Sequence, residues 1–172
     1  QEIQVNDPQL WSTNDPNLYT AVSKVYSDDE LLDDYETVFG IREIRMTPEK
    51  GLLVNGEKVI AKGGNMHHDL GCLGSEALEK GYERKLKRLK EMGCNSIRLS
   101  HNPHAPVLLD VADRLGFLVY NEAYDKWTSQ FYGGVKSIEE MWKEDLTTFI
   151  KRDRNHPSVY IWSMGNEVLK QQ

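Results

Sequence analysis

A chain of 172 residues, 39% hydrophobic and 28% charged, can bury a sizeable core and has the composition of a soluble globular protein. A formal net charge of −6, with no block of Lys and Arg within it, argues against a nucleic-acid or anionic-membrane partner and for a neutral one. No stretch of about eighteen apolar residues is present to span a membrane, no basic-then-apolar leader opens the chain, and Cys72 and Cys94 form neither metal-ligand spacing nor a disulfide framework. The missing initiator Met, and a polar motif ending five residues before the last, predict a piece of a longer protein whose localisation signals lie elsewhere.

From residue 1 to about 45 the pattern is β. Leu18-Tyr-Thr-Ala-Val-Ser-Lys-Val-Tyr26 alternates near period two, Asp28-Asp29 offers a turn, and a second β stretch is expected from Tyr35 to Met46. These short antiparallel strands read as the end of a β-sandwich. Asn55-Gly56 between apolar runs then signals a hairpin over Gly51–Ile60, because a type I′ turn needs positive φ at both central residues. Its second arm is expected to run on into Ala61-Lys-Gly-Gly-Asn65.

Beyond this, strands and helices alternate. Leu78, Tyr82, Leu86, Leu89 and Met92 line one helical face that Gly93 ends, followed by the strand Ser96–Ser100. A helix from Pro106 buries Val107, Leu108, Val111 and Leu115 and stops at Gly116 before the strand Phe117–Tyr120. A third helix has capping-box spacing at Ser137 and Glu140 and an apolar face of Ile138, Met141, Trp142, Leu146 and Phe149 before a strand at 158–164. Strands near 60, 97, 118 and 161 separated by three helices imply a parallel sheet with right-handed crossovers, either a small open sheet or half of an eight-stranded barrel.

Polar residues follow each strand at once: Asn65-Met-His67-His68-Asp69, Ser100-His101-Asn102, Asn121-Glu122 and Asn166-Glu167. Such convergence on one rim favours the barrel, whose chemistry sits at the C-terminal strand ends. Glu167 at the mouth of an apolar strand would be partly desolvated, which favours a protonated general acid; the plainer reading is a Glu that opens the next helix. His67, His68, Asp69, His101 and His104 are residue types that build zinc sites, yet His67 and His68 point to opposite sides of an extended backbone, so at most one shares a centre with His101. Hydrogen bonding to a polyhydroxyl ligand, or a structural role, suits these imidazoles better. Arg98, inside a strand, needs a carboxylate such as Glu122 or Glu167. Trp127, in a loop with Tyr124, Tyr132 and Gly133-Gly134, is the better platform for a sugar's apolar face, whereas Trp162 reads as packing.

Four stretches in order, Val54-Asn-Gly-Glu-Lys-Val59, Lys62-Gly-Gly-Asn-Met-His67, Asn95-Ser-Ile-Arg-Leu-Ser-His-Asn-Pro103 and Asn155-His-Pro-Ser-Val-Tyr-Ile-Trp-Ser-Met-Gly-Asn-Glu167, resemble glycoside hydrolase family 2. The resemblance implies that residues 1–45 are the C-terminal part of an immunoglobulin-like sandwich domain and 46–172 the N-terminal half of a (β/α)8 TIM-barrel catalytic domain. It implies a retaining exo-β-glycosidase of β-galactosidase type, with β-glucuronidase, β-mannosidase or exo-β-glucosaminidase activity as alternatives, and a substrate bearing a terminal β-linked sugar. Glu167 would be the general acid/base, Asn166 a partner of the sugar 2-hydroxyl, His67 and His101 contacts to substrate hydroxyls, Arg98 a buttress for the carboxylates, and Asp125 and Trp127 further substrate contacts. The nucleophilic Glu of such enzymes lies on a later strand; Glu122 matches a different position and is not assigned that role. Where some members bind magnesium through Glu-x-His, this chain reads Asn121-Glu-Ala-Tyr-Asp-Lys-Trp127, so no metal and no cofactor is expected. A half barrel has open sheet edges, so the isolated chain is expected to be inactive, to bind carbohydrate at most, and to self-associate.

Overall fold

The computed structural model describes residues 2–127 and 138–168. Ser137, Tyr132 and Gly133-Gly134, invoked above for a capping box and a loop, lie outside the described residues. Among the described residues three sheets follow one another: a two-stranded β1–β2, a three-stranded β3–β4–β5, and a four-stranded parallel sheet in the order β6–β7–β8–β9.

Strands β1 (Tyr19–Ser27) and β2 (Glu30–Phe39) form a long antiparallel hairpin whose turn places Asp28 and Asp29 at φ 46° and 69°, the left-handed pair of a type I′ turn. The expected second β stretch is thus two elements. Residues 40–43 break it because Arg42 leaves the ladder to bond elsewhere, and β3 (Ile44–Thr47) pairs instead with β4 (Gly51–Val54). Asn55 and Gly56, at φ 53° and 82°, turn β4 into β5 (Glu57–Lys58). This second arm is only two residues long and does not run on into the parallel sheet, whose first strand β6 (Gly63–His67) starts after residues 59–62, which belong to neither strand.

Helix α1 (Glu79–Glu91) crosses from β6 to β7 (Ser96–Ser100), α2 (Pro106–Leu115) from β7 to β8 (Leu118–Glu122), and α3 (Ile138–Asp153) leads to β9 (Val159–Ser163). In α1, Glu79 occupies the first turn and Arg88 and Lys90 the last, matching the helix dipole. Its C-terminus closes with Gly93 N–H on Lys90 O at 2.9 Å and Cys94 N–H on Leu89 O at 3.0 Å, the paired bonds that a glycine at φ 88° permits. Only Tyr82 and Leu86 of its expected apolar face are buried; Leu78 and Met92 lie at the helix ends, past the sheet, and are 42% and 78% exposed. In α2, Leu109 and Ala112 join Leu108 and Val111 in the core, while Val107 and Leu115 pack at its margin. Gly116 ends α2 at φ 70°, and a Cβ there would meet Thr13 O at 2.4 Å, so glycine answers two demands at once. On α3, Ile138, Leu146 and Phe149 are buried, but Trp142 is half exposed.

The main core joins α1 and α2 to the helix-facing residues Met66, Ile97, Leu99, Val119 and Val159. Trp11, fully buried, forms a second cluster with Leu52, Val54 and Leu118 beneath the strands' N-terminal ends. This seam is polar as well. Trp11 Nε1 donates to Asp113 O at 2.9 Å, and Arg42 donates to Pro157 O at 3.0 Å and Val159 O at 2.7 Å. Between β8 and β9 the register slips: Val119 faces Val159, yet Tyr120 faces Ile161 and Glu122 faces Ser163. Tyr160 is the extra residue of this bulge. Strand faces alternate, so past Tyr160 each side chain lies on the face opposite to the one plain alternation would assign. Ser163 therefore joins Glu122, and Trp162 packs edge-on against Phe149 of α3 at 5.2 Å, as the packing reading of Trp162 anticipates.

Candidate active site

The C-terminal ends of β6–β9 bring Asn65, Arg98, His101, Glu122, Ser163, Asn166 and Asp125 into one hydrogen-bonded network. At its centre is Glu122, which has no solvent exposure. Arg98 donates from Nε and NH2 to Oε2 at 3.1 and 2.8 Å and from NH2 to Oε1 at 3.0 Å; Ser163 Oγ donates to Oε2 at 2.8 Å; His101 Nδ1 stands 2.6 Å from Oε1. Arg98 also reaches Asn65 Oδ1 at 3.3 Å and lies 5.6 Å over the Tyr120 ring. Of the two carboxylates considered for Arg98, its partner is thus Glu122 and not Glu167. With Arg98, Ser163 and His101 all on its two oxygens and no solvent exposure, Glu122 has no lone pair aimed at solvent for an attacking role.

Asn166 is fixed on both sides. Its Oδ1 accepts from Arg98 NH2 at 3.0 Å, its Nδ2 donates to Asp125 Oδ1 at 2.9 Å, and its backbone N–H bonds Asp125 O at 2.7 Å. A cation on one side and a carboxylate on the other leave only one orientation for the amide. The Asn166 bond, followed by Lys126, holds the Asp125 carboxyl below its ordinary range. Lys126 Nζ lies 3.2 Å from Asp125 and 3.1 Å from Glu167 Oε2, and these two partners raise its own value.

Glu167 stands at φ 52° directly after this pair, its side chain 70% exposed. The desolvation expected of it is not supplied by the described residues, because Lys126, and no apolar wall, is its neighbour there. His67 packs edge-on to His101 at 5.5 Å, on the side of the sheet away from His68, which packs edge-on to His104 at 5.1 Å. The opposite-sides reading of the two adjacent imidazoles holds. His104 is buried and its value falls to about 4, chiefly through desolvation. Asp69 turns away to cap Gly71 N–H and meet Lys85 at 3.5 Å. Among the described residues no three His, Cys, Asp or Glu side chains gather to hold a metal ion. Trp127 lies beside the strand end, its indole N–H on Met164 O at 2.9 Å, and borders a cavity of about 300 Å³ with Tyr124, Trp142 and Leu146.

The model described as glycosyl hydrolases family 2, TIM barrel domain, matches residues 44–172, and that described as glycosyl hydrolases family 2 matches residues 1–42. The chain belongs to glycosyl hydrolase family 2. It is 49% identical over 173 residues to a Bacteroides ovatus protein named beta-galactosidase BoGH2A, covering 99% of this chain and 20% of that one. It is 38% identical over 169 residues to a putative beta-glucuronidase of Formosa agariphila, covering 96% of this chain and 16% of that one. The solved structure of a family 2 member from Bacteroides cellulosilyticus matches with TM-score 0.87 and 46% identity, over 95% of this chain and 22% of that one. The chain thus spans about a fifth of the length of the curated relatives it matches, and its parallel sheet is part of a family 2 TIM barrel.

Two members of the network escaped the sequence reading. Ser163 sits in an apolar run whose alternation the bulge inverts, and only the hydroxyl near a strand's end was a signal. Lys126 lay unremarked inside the Asp125-Lys-Trp127 loop.

Proposed function

We propose that the whole protein is a retaining exo-β-glycosidase acting on terminal β-galactosides. The observation that carries this reading is the clamp on Asn166 at the end of the barrel strand, which fixes where the next residue, Glu167, leaves the sheet, its carboxylate 3.1 Å from Lys126 Nζ. In this reading Glu167 protonates the leaving oxygen while a second carboxylate, about 5–5.5 Å away in the assembled site, attacks the anomeric carbon; Glu167 then takes a proton from the water that releases the sugar. Asn166 meets the 2-hydroxyl, and Asp125, Trp127, His67, His101 and the Arg98 buttress shape the sugar pocket. The 49% identity to a named β-galactosidase supports the choice of galactose, and the 38% relative named a putative β-glucuronidase supports a second reading in which the sugar is a uronic acid.

Residues 1–45 in this proposal close a sandwich domain and 46–172 open the catalytic barrel. Two carboxylates suffice for the chemistry, so activity is expected to resist chelators. The 172 residues alone should show no turnover, since Glu122 is spoken for by Arg98, His101 and Ser163. The test is Glu167→Gln in a chain extended to the length of its relatives, assayed on aryl β-galactosides and β-glucuronides. Loss of about 10²–10⁴-fold in kcat, with deglycosylation restored by azide, is expected; an unchanged rate refutes the assignment.

A further inference from the structure

We propose that Glu122 is a positioning residue that holds His101 as its Nδ1–H tautomer, so that His101 Nε2 accepts a hydrogen bond from a sugar hydroxyl instead of donating one. This rests on the glycosidase reading above and adds to it the polarity that one substrate hydroxyl must have.

Every group around Glu122 except His101 faces it as a donor. A guanidinium has no acceptor, and Ser163 Oγ directs its proton to Oε2 at 2.8 Å. Both carboxylate oxygens face Arg98 N–H groups, at 2.8 and 3.1 Å for Oε2 and 3.0 Å for Oε1. This forked ion pair leaves the carboxylate no proton to give, so the 2.6 Å contact with His101 is bridged by a proton on Nδ1. The ring is 19% exposed, its plane is set by His67 packed at 88° to it, and its buried edge is spent on Glu122. The other nitrogen is the one left for the rim. In that tautomer Nε2 carries a lone pair. A ligand oxygen there must donate.

Replacing Glu122 by Gln inverts this logic. The single amide oxygen belongs on the side with the most donors, where Arg98 Nε, Arg98 NH2 and Ser163 Oγ surround Oε2. The new NH2 then faces His101 Nδ1, which must accept, and the ring moves to its Nε2–H tautomer. A purely structural Glu122 predicts a weaker site of unchanged polarity.

The probes are D-galactose and its single deoxy and fluorodeoxy derivatives, with dissociation constants measured by calorimetry on the full-length protein. Fluorine accepts weakly and cannot donate, whereas hydrogen does neither. At the hydroxyl whose deoxygenation penalty disappears in His101→Phe, both derivatives should lose about 10-fold in the wild type. In Glu122→Gln the fluorodeoxy sugar should bind at least about 3-fold better than the deoxy sugar. A wild-type fluorodeoxy sugar that binds as well as galactose overturns the proposal, as does a Glu122→Gln protein with the wild-type ranking. A neutron structure of the wild type decides the point without a variant or an activity: deuterium on Nδ1 alone supports it, and deuterium on Nε2 overturns it. Failure of galactose and glucuronic acid to bind at all counts against the glycosidase reading, and the neutron result still stands on its own.

Discussion

Asp113→Asn tests how α2 is joined to the turn that leads into β9. Asp113 is 3% exposed on α2; its Oδ1 accepts from Ser158 N–H at 3.0 Å and its Oδ2 faces His156 Nδ1 at 2.6 Å. Burial lowers the His156 value, but the hydrogen bond and charge of Asp113, helped by Asp110 and Asp153, outweigh it and the net shift is upward. Asparagine can still accept from Ser158 but turns an NH2 toward His156, removing one charge-assisted bond worth about 1.5–3 kcal/mol. At roughly 2–4 °C per kcal/mol for a chain of this size, melting should fall by about 3–12 °C near pH 6. The sign of the pH dependence is fixed. A histidine whose value is raised on folding contributes stability that is fully present below its unfolded value near 6.5 and is lost as pH rises through the higher folded value. Thermal unfolding of wild type and variant from pH 5.5 to 8.5 should therefore show the gap widest at the acid end and narrowing upward. A gap that is constant, or that widens with pH, refutes the ion-pair account of this seam.

His104 predicts the opposite slope. Its value of about 4 means that stability drains away as pH falls from near 6.5 toward 4, so His104→Phe should gain on the wild type by about 2–3 kcal/mol between pH 7.5 and 4.5 in denaturant titrations. In Gly63→Ala the new Cβ would sit 1.7 Å from Ser96 O, so β6 must separate from β7; the variant should lose cooperative unfolding by circular dichroism, and a wild-type melt would contradict the pairing. Strands β6 and β9 end the four-stranded sheet, and the chain alone should associate through them; sedimentation of a clean monomer at tens of micromolar would defeat that expectation.

The parallel sheet was legible because its punctuation is local. Pro106, Gly93, Gly116 and Asn55-Gly56 act within a few residues of where they stand, and apolar spacing named Tyr82, Leu86, Leu108 and Val111 as core. What stayed hidden depends on partners distant in sequence. Asp113 reads as a solvent-facing helix residue until His156, 43 positions on, supplies its counter-charge. Nothing near Trp11 in the chain announces that Leu118 and Asp113 O enclose it. In the site, Arg98 needed a carboxylate on any reading of a strand, but choosing Glu122 over Glu167 required the β7–β8 register, which sets Arg98 opposite Tyr120, two residues before Glu122 on the same face. Glu167's exposure had no signal at all, since desolvation depends on what surrounds the rim and not on the residues beside it in the chain.

The bulge at Tyr160 carries a consequence for how this strand tolerates change in length. Losing Tyr160 alone would leave Ile161, Trp162 and Ser163 opposite Tyr120, Asn121 and Glu122, whereas keeping it in a bulge-free ladder would swing Trp162 to the Glu122 side and turn the Ser163 hydroxyl out toward α3. The count from Ile161 to Glu167 is therefore as much a property of the site as any side chain in it. A relative without a residue at Tyr160 would keep the same faces, and one with a gap between Ile161 and Ser163 would turn opposite faces of the sheet to Glu122.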